Sequence, residues 1–556
     1  MMRRRPSFAN RRKFLAQAGG LAAIAAAAPF GIGRVDALAK EFDHDGRFDD
    51  DHHDRSNQRA NDAYRIRHEA ALFHRKQPSA RHLTNGDERR YANAVGNFTK
   101  TLPHTMDGLV VPEAYAALRH AMSTADPADF DVIPRGGVAK LSNPQSAFAF
   151  QMDGADSHQL GIRVPPAFAS AETAGEMEEL YWLALTRDVP YANYDTDATI
   201  AAAANALSHL SDFRGPKAGG AVTPGTIFRG NFPGELSGPF ISQFLLKDVP
   251  FGPYVVPQKV RAGLAGVEYM TDYAAWLNVQ NGSPSPVSAF QTVPAANARY
   301  INDNRALSAY LRADFTPQGV INASLILNTF GLNALTPSNP YRASLNQSGQ
   351  GTFGSGEFIG MIAHAAHVAL LACWFQKWAV HRKVRPEAFG GAIHNVKTTS
   401  ARYDIHPEIL NSPVLTTMQM KYGTYLLPMA YPEGSPAHPS YPAAHAAFAG
   451  AGATMLKAFY DETFVIPSLV VASADGTALV PYTGTPLTVG NELNKLASNI
   501  SLGRDASGVH WRSDGAEGMA LGEAAAIAVL QDLRHCYNEH FEGFSFTRFD
   551  GTRITI

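Results

Sequence analysis

Cysteine is almost absent: two residues in 556, Cys373 and Cys536. That excludes a disulfide framework. One bridge or two buried thiols remain open, because both positions stand in apolar helical text. No CxxC or HExxH pattern occurs, which excludes the ordinary zinc motifs. An excess of one charge is missing too: the formal net charge is -2 and the pI about 6.9. A general nucleic-acid or membrane-surface binder carries a clear basic excess, so neither class is expected. Strand-like alternation is scarce, with "TFVIPSLVVASADGTALVPYTG" the one good hairpin candidate. No internal repeat of fixed period is present.

What the chain has is length, a 45% hydrophobic content and long helical text. The first forty residues stand apart. Arg11-Arg12, Phe14-Leu15, an Ala/Gly-rich apolar stretch and the small residues Ala37 to Ala39 resemble a twin-arginine export signal. The expectation is a signal over 1–39 and a mature protein outside the bacterial cytoplasm, periplasmic or secreted. The acidic, His-rich stretch that follows is expected to be a solvated tail entering a helix near Asn61, rather than a metal site at His52 and His53. Apolar residues at three- and four-residue steps then predict helices in "EMEELYWLALTRDV", "DATIAAAANALSHLSDF", "GVEYMTDYAAWLNVQ" and "ARYINDNRALSAYLRADF". The class is mainly α, with long loops and a minor β-hairpin. "GQGTFG", Gly349 to Gly354, matches GxGxxG but follows no buried strand, so it reads as a flexible lead into the next helix. That helix, "GEFIGMIAHAAHVALLACWFQKWAVHRKVRP", is apolar on most sides and could span a membrane by length. His364 and His367 interrupt it, and a central bundle helix fits better, with no stable membrane insertion. The two histidines share a face as metal ligands would, but the expectation is a core or interface role.

Three short segments carry chemistry. In "KWAVHRKVRPEAFGG", Lys377 and Arg385 are eight residues apart, about 12 Å along a helix. Pro386 disfavours helical geometry at Arg385, which is expected where the helix ends. In "HPSYPAAHAAFAGAGATMLKAF", Pro442 suits a first helical position. The N–H groups of Ala443, Ala444 and His445 would then lack helical acceptors and favour an anion. His445 could hydrogen-bond that anion or pass protons to it. In "LGRDASGVHWRSDGAEGMALGE", Arg504 and His510 flank a Gly-containing turn. A helix is expected from near Asp514, capped in a box with Glu517. Alone, each segment is weak or moderate.

In this order and spacing the three segments resemble the active-site signature of the vanadium-dependent haloperoxidases and the related membrane-type acid phosphatases. The context "HRKVRPEAFGG", "YPEGSPAHPSYP" and "LNKLASNISLGR...SGVHWRSDG" looks most like the bromoperoxidase branch. The resemblance is sharpest from Gly356 to Glu523. It implies two four-helix bundles packed as one compact unit: an N-terminal helical half over 40–345 and a C-terminal bundle over 346–556 that carries the site. It further implies vanadate as cofactor, with His510 as the only protein atom bonded to vanadium. Lys377, Arg385 and Arg504 would hold its oxygens, with the backbone N–H of Ala444. His445 would meet the apical hydroxide and take a proton from hydrogen peroxide, and Lys377 would polarise the bound peroxide. His438 occupies a position where bromoperoxidases also carry histidine, near the halide approach. The partners implied are hydrogen peroxide, a halide (bromide first), a small organic acceptor and a second copy of the chain.

One departure stands out. The family pattern at the start of this helix is Ser-Gly-His, and here it reads Ala443-Ala444-His445. A serine hydroxyl to an equatorial oxygen is lost, worth roughly 1.5–3 kcal/mol. Two other functions stay open at this level. One is an acid phosphatase, with His510 as nucleophile and His445 as acid. The other is a periplasmic vanadate or phosphate binder without turnover.

Overall fold

The computed structural model describes residues 49–284 and 289–556, with side chains from residue 56 onward. The Arg11-Arg12 signal, and the side chains of His52 and His53, lie outside the described residues. The first of two units is Met1–Leu72. Its described part belongs to helix α1 (Asp49–Lys76), which is polar and largely exposed beyond residue 55. This helix starts twelve residues before the expected Asn61. No Pro or Gly stands between 49 and 61 to stop it.

Residues 73–556 form the second unit. Its helices include α2 (Ala171–Leu185), α3 (Asn304–Ala313), α4 (Ser355–Trp374), α5 (Pro386–Thr398), α6 (Ala444–Phe459), α7 (Val489–Ala506) and α8 (Arg512–Leu533). Helix α6 is the centre of one bundle. It packs against α4, α7 and α8, and α4 also meets α8. Every residue of α6 except His445 is buried, as its all-round apolar sequence requires. Helix α2 organises a second core with the short helices Ala198–Ser208, Pro407–Leu410 and Pro413–Tyr422.

Glycine sets the spacing of α6 and α8. A Cβ on Gly522 would stand 2.0 Å from Ala447 O, and one on Gly518 would stand 2.6 Å from Ala443 O. From the other side, a Cβ on Gly450 would stand 2.6 Å from Met519 O. The two backbones therefore touch, and larger side chains would part them.

The hairpin expected near 463–484 is present as β3 (Val470–Ala472) and β4 (Leu479–Pro481). Two more three-residue pairs, β1–β2 (Val249–Phe251, Tyr254–Val256) and β5–β6 (Ser545–Thr547, Arg553–Thr555), are too short to leave a periodic signal. Gly354 caps the N-terminus of α4, and Gly349 folds tightly against Phe353 O, so "GQGTFG" is a helix lead-in. Helix α4 buries Phe358, Ile362, Ala365, Ala369 and Cys373. His364 bonds Asp153 at 2.7 Å and His367 is exposed. No group of three or more metal-ligating side chains occurs among the described residues. No disulfide joins Cys373, which is buried, to Cys536, which is exposed just beyond α8. The reading of two buried thiols is corrected in that respect.

Candidate functional site

Lys377 and Arg385 do not lie along one helix. Helix α4 passes into a wider π-helical turn, Phe375–His381, and Arg382 ends it in the left-handed region at φ 45°. The backbone N–H of Arg382 closes the turn on Lys377 O at 2.9 Å, and its guanidinium pairs with Glu88 at 2.7 Å. Arg385 then forms the N-cap of α5, ahead of Pro386. The reversal brings both cations to one place.

Helix α6 starts at Ala444, two residues later than its proline pattern predicts, because Pro442 stands before the cap. Ala443 is the N-cap, and its N–H is taken by Asp514 O at 2.8 Å. The N–H groups without a helical acceptor are therefore those of Ala444, His445 and Ala446. Ala443 supplies no side-chain cap.

Arg504 lies in the last turn of α7. Gly508 turns the chain at φ 82°, where a side chain would also strike Met429 Sδ. His510 follows, and α8 begins at Arg512, two residues before the expected Asp514. Asp514 is therefore in the first turn of α8, and its carboxylate accepts from Trp511 N at 3.2 Å. Glu517 pairs with Arg163 instead of closing a capping box.

The three segments meet. Arg385 links them: Nε donates to His438 O (2.9 Å), Nη2 to His438 Nδ1 (3.0 Å), and Nη1 to Val509 O (2.6 Å) and His510 Nε2 (3.0 Å). Lys377 Nζ donates to Pro439 O and Ser440 O, both at 2.8 Å. Arg504 Nη1 donates to Leu311 O (2.7 Å), its Nε has no partner among the described residues, and its guanidinium stands 5.7 Å from the Tyr431 ring. Lys377, Arg385 and Arg504 are 0%, 1% and 4% exposed. Among the described residues none of the three has a carboxylate within ion-pair distance. Burying unpaired charge is costly, so an anion is the missing partner.

Titration behaviour follows from the same geometry. Burial pulls the Lys377 ammonium down to about 7, with Arg385 and Arg504 adding to the effect. Burial also holds His510 and His438 well below the ordinary imidazole value, reinforced by Lys377 and Arg385. Both rings are thus neutral. Arginine can only donate, so Nε2 of His510 is an acceptor; Nδ1 of His438 lies between the Arg385 guanidinium and Pro439 O at 3.1 Å, a donor on one side and an acceptor on the other. His510 carries its proton on Nδ1, which donates to Asp514 Oδ2 at 2.8 Å. This is the carboxylate–histidine arrangement that fixes a metal-binding imidazole.

His445 is only partly buried. Its Nε2 lies 3.1 Å from Asp314 Oδ1, at the C-terminal cap of α3. Its other nitrogen has no hydrogen bond among the described residues. Burial and then Arg504 lower its basicity, while Asp314 opposes them. His438 lies beside Trp374, ring centroids 4.9 Å apart.

Sequence reasoning missed Asp314, which is far away in the chain and carries no local signal. It assigned Asp514 only a capping role, although its spacing of four from His510 on a nascent helix was a usable cue.

A cage of this build fits vanadate: spread cations, free helix N–H groups and a single imidazole lone pair. The comparisons agree. Residues 357–539 match the family model for the second helical-bundle domain of VCPO. A vanadium-dependent bromoperoxidase of Ascophyllum nodosum is 33% identical over 85% of this chain and 88% of its own length. The chain belongs to the vanadium-dependent haloperoxidase family. A second relative, the vanadium-dependent bromoperoxidase of Corallina pilulifera, is 30% identical over 85% of this chain and 94% of its own. A homohexameric vanadate-dependent bromoperoxidase from A. nodosum superposes with a TM-score of 0.85 at 32% identity, covering 89% of this chain and 90% of that one. As a haloperoxidase family member this chain is an enzyme, which sets aside the binder without turnover. Its likeness to bromoperoxidases runs over 85–89% of its length.

Proposed function

We propose that this haloperoxidase binds vanadate in the cage and uses hydrogen peroxide to oxidise a halide, bromide by preference. The hypohalous acid formed then halogenates a small organic acceptor. The observation that carries this reading is a set of three buried cations, none paired with a carboxylate among the described residues, of which Arg385 meets Nε2 of His510 at 3.0 Å and Lys377 and Arg504 lie within electrostatic reach of the same ring. The halide loses two electrons, the O–O bond breaks, and one proton is consumed, giving hypohalous acid and water. Vanadate, when bound, supplies Lewis acidity without a change of oxidation state.

The chain's own residues do the rest. His510 would offer Nε2 to the metal, its ring held in place by Asp514. Lys377, Arg385, Arg504 and the N–H of Ala444 would hold the oxygens of the anion, with Lys377 placing positive charge where negative charge develops. His445 takes a proton from incoming peroxide, oriented by Asp314. His438, packed beside Trp374 and held by Arg385, borders the halide approach. Ala443 in place of serine retunes anion binding and halide turnover without abolishing either.

The test is direct. Vanadate-reconstituted protein should brominate a phenol dye only when bromide and peroxide are both present, beside negligible hydrolysis of a phosphate ester. Hydrolysis without bromination would refute the assignment. We further propose export through the twin-arginine route, a homo-oligomeric assembly and no stable membrane insertion. The Arg11-Arg12 motif, the homohexameric relative and the core packing of α4 support these in turn.

A further inference from the structure

A fourth buried cation stands behind the cage. Lys383 lies in the turn between the π-helical segment and α5 and is 3% exposed. Its Nζ is 3.3 Å from Asp514 Oδ1, 3.2 Å from Ser513 Oγ and 3.9 Å from Glu176 Oε2. It also stands 5.0 Å from the Trp511 ring and 5.6 Å from the Tyr441 ring. Its backbone carbonyl accepts the N–H of Ser440 at 3.1 Å. One residue thus touches all three segments that build the cage, yet it does not belong to the cage.

The division of labour at Asp514 gives Lys383 its meaning. Oδ2 receives His510 Nδ1, Trp511 N and the Ser440 hydroxyl. Oδ1 receives Lys383 alone among the described residues. Glu176 is buried nearby and repels Asp514. Without the ammonium, Oδ1 would be a buried acceptor with no donor, facing a like charge. The carboxylate would turn to relieve that, and Oδ2 would leave the imidazole.

We propose that Lys383 is a positioning residue for vanadate: it fixes the Asp514 carboxylate, which in turn fixes the His510 ring with Nε2 facing the cage. The inference rests on the haloperoxidase reading of the site. A structural ion pair that merely anchors the start of α8 would make different predictions.

The experiment is equilibrium dialysis of the full chain against vanadate, with bound vanadium measured by elemental analysis, on the native protein, Lys383→Met, Lys383→Arg, Asp514→Asn and the Lys383→Met/Asp514→Asn double variant. Lys383→Met should raise the dissociation constant about 10- to 100-fold, and Lys383→Arg should return it to within about threefold of native. Asp514→Asn and the double variant should agree within about twofold, since Lys383 acts only through Asp514. Native affinity in Lys383→Met, no rescue by arginine, or summed losses in the double variant would each overturn the proposal. If Lys383→Met does not fold, Lys383→Gln with Glu176→Gln removes both charges of the second pair and carries the same comparison. Failure of the native chain to bind vanadate would instead bring down the reading of the site.

Discussion

Restoring serine at position 443 tests the anion cage where this chain departs from its relatives. Ala443 is the N-cap of α6, with an extended backbone (φ -74°, ψ 125°) and no side-chain cap. A serine there has two uses for one hydroxyl. Its oxygen can accept from the free N–H of Ala446, and capping of this kind is worth about 1 kcal/mol. For a unit of this size that is a rise of the order of 1 °C in melting temperature. Its hydrogen can meanwhile donate to an anion oxygen, worth roughly 1.5–3 kcal/mol, or about one to two decades in affinity. The two effects separate experimentally, since only the first exists without vanadate. Ala443→Ser should therefore raise the melting point slightly in the anion-free protein and lower the vanadate dissociation constant by ten- to hundredfold, read by dialysis or by recovery of activity on titration. Halide turnover should change as well. An unchanged vanadate affinity, with the variant folded, would show that position 443 does not face the anion and would refute the reasoning.

Other outcomes follow from the same geometry. Lys377 in the anion-free protein loses its proton near pH 7, against 10.5 when exposed. Between those values the unfolded chain holds the extra proton, so anion-free stability should rise with pH across that window and be lowest below it. Vanadate needs the charged form, so its affinity should fall above about pH 7 by up to tenfold per unit, and Lys377→Met should flatten that slope. His445→Ala should lower bromide turnover by about 10²–10⁴-fold while the folded protein still binds vanadate. Asp314→Asn should lower turnover in the same direction by a smaller factor, with vanadate affinity nearly unchanged. Gly522→Ala should destabilise the fold by more than about 2 kcal/mol in urea unfolding, because its Cβ would overlap Ala447 O.

Much of this was legible before any coordinates. The order and spacing of Lys377, Arg385, His445, Arg504 and His510, matched to the family pattern, singled them out, and the last four lie near helix boundaries marked by Pro or Gly. What stayed hidden was of two kinds. The π-helical turn around Lys377 depends on tertiary packing that no periodicity reports. Asp314 and Lys383 act through contacts across 131 residues in each case, to His445 and to Asp514. The helix starts at 444 and 512 were each placed two residues away. Those errors mattered, because they decided which N–H groups lack a helical acceptor and whether Asp514, besides capping α8, reaches a histidine.

The glycine contacts between α6 and α8 reach beyond stability. His445 and His510 stand at the leading ends of two rods whose backbones are in direct contact, so the offset between the proposed proton acceptor and the proposed metal-binding nitrogen is inherited from that junction. The loops that deliver the chain to either rod could then be lengthened or replaced through evolution, with new acceptors admitted at the mouth, while the reacting atoms kept their places.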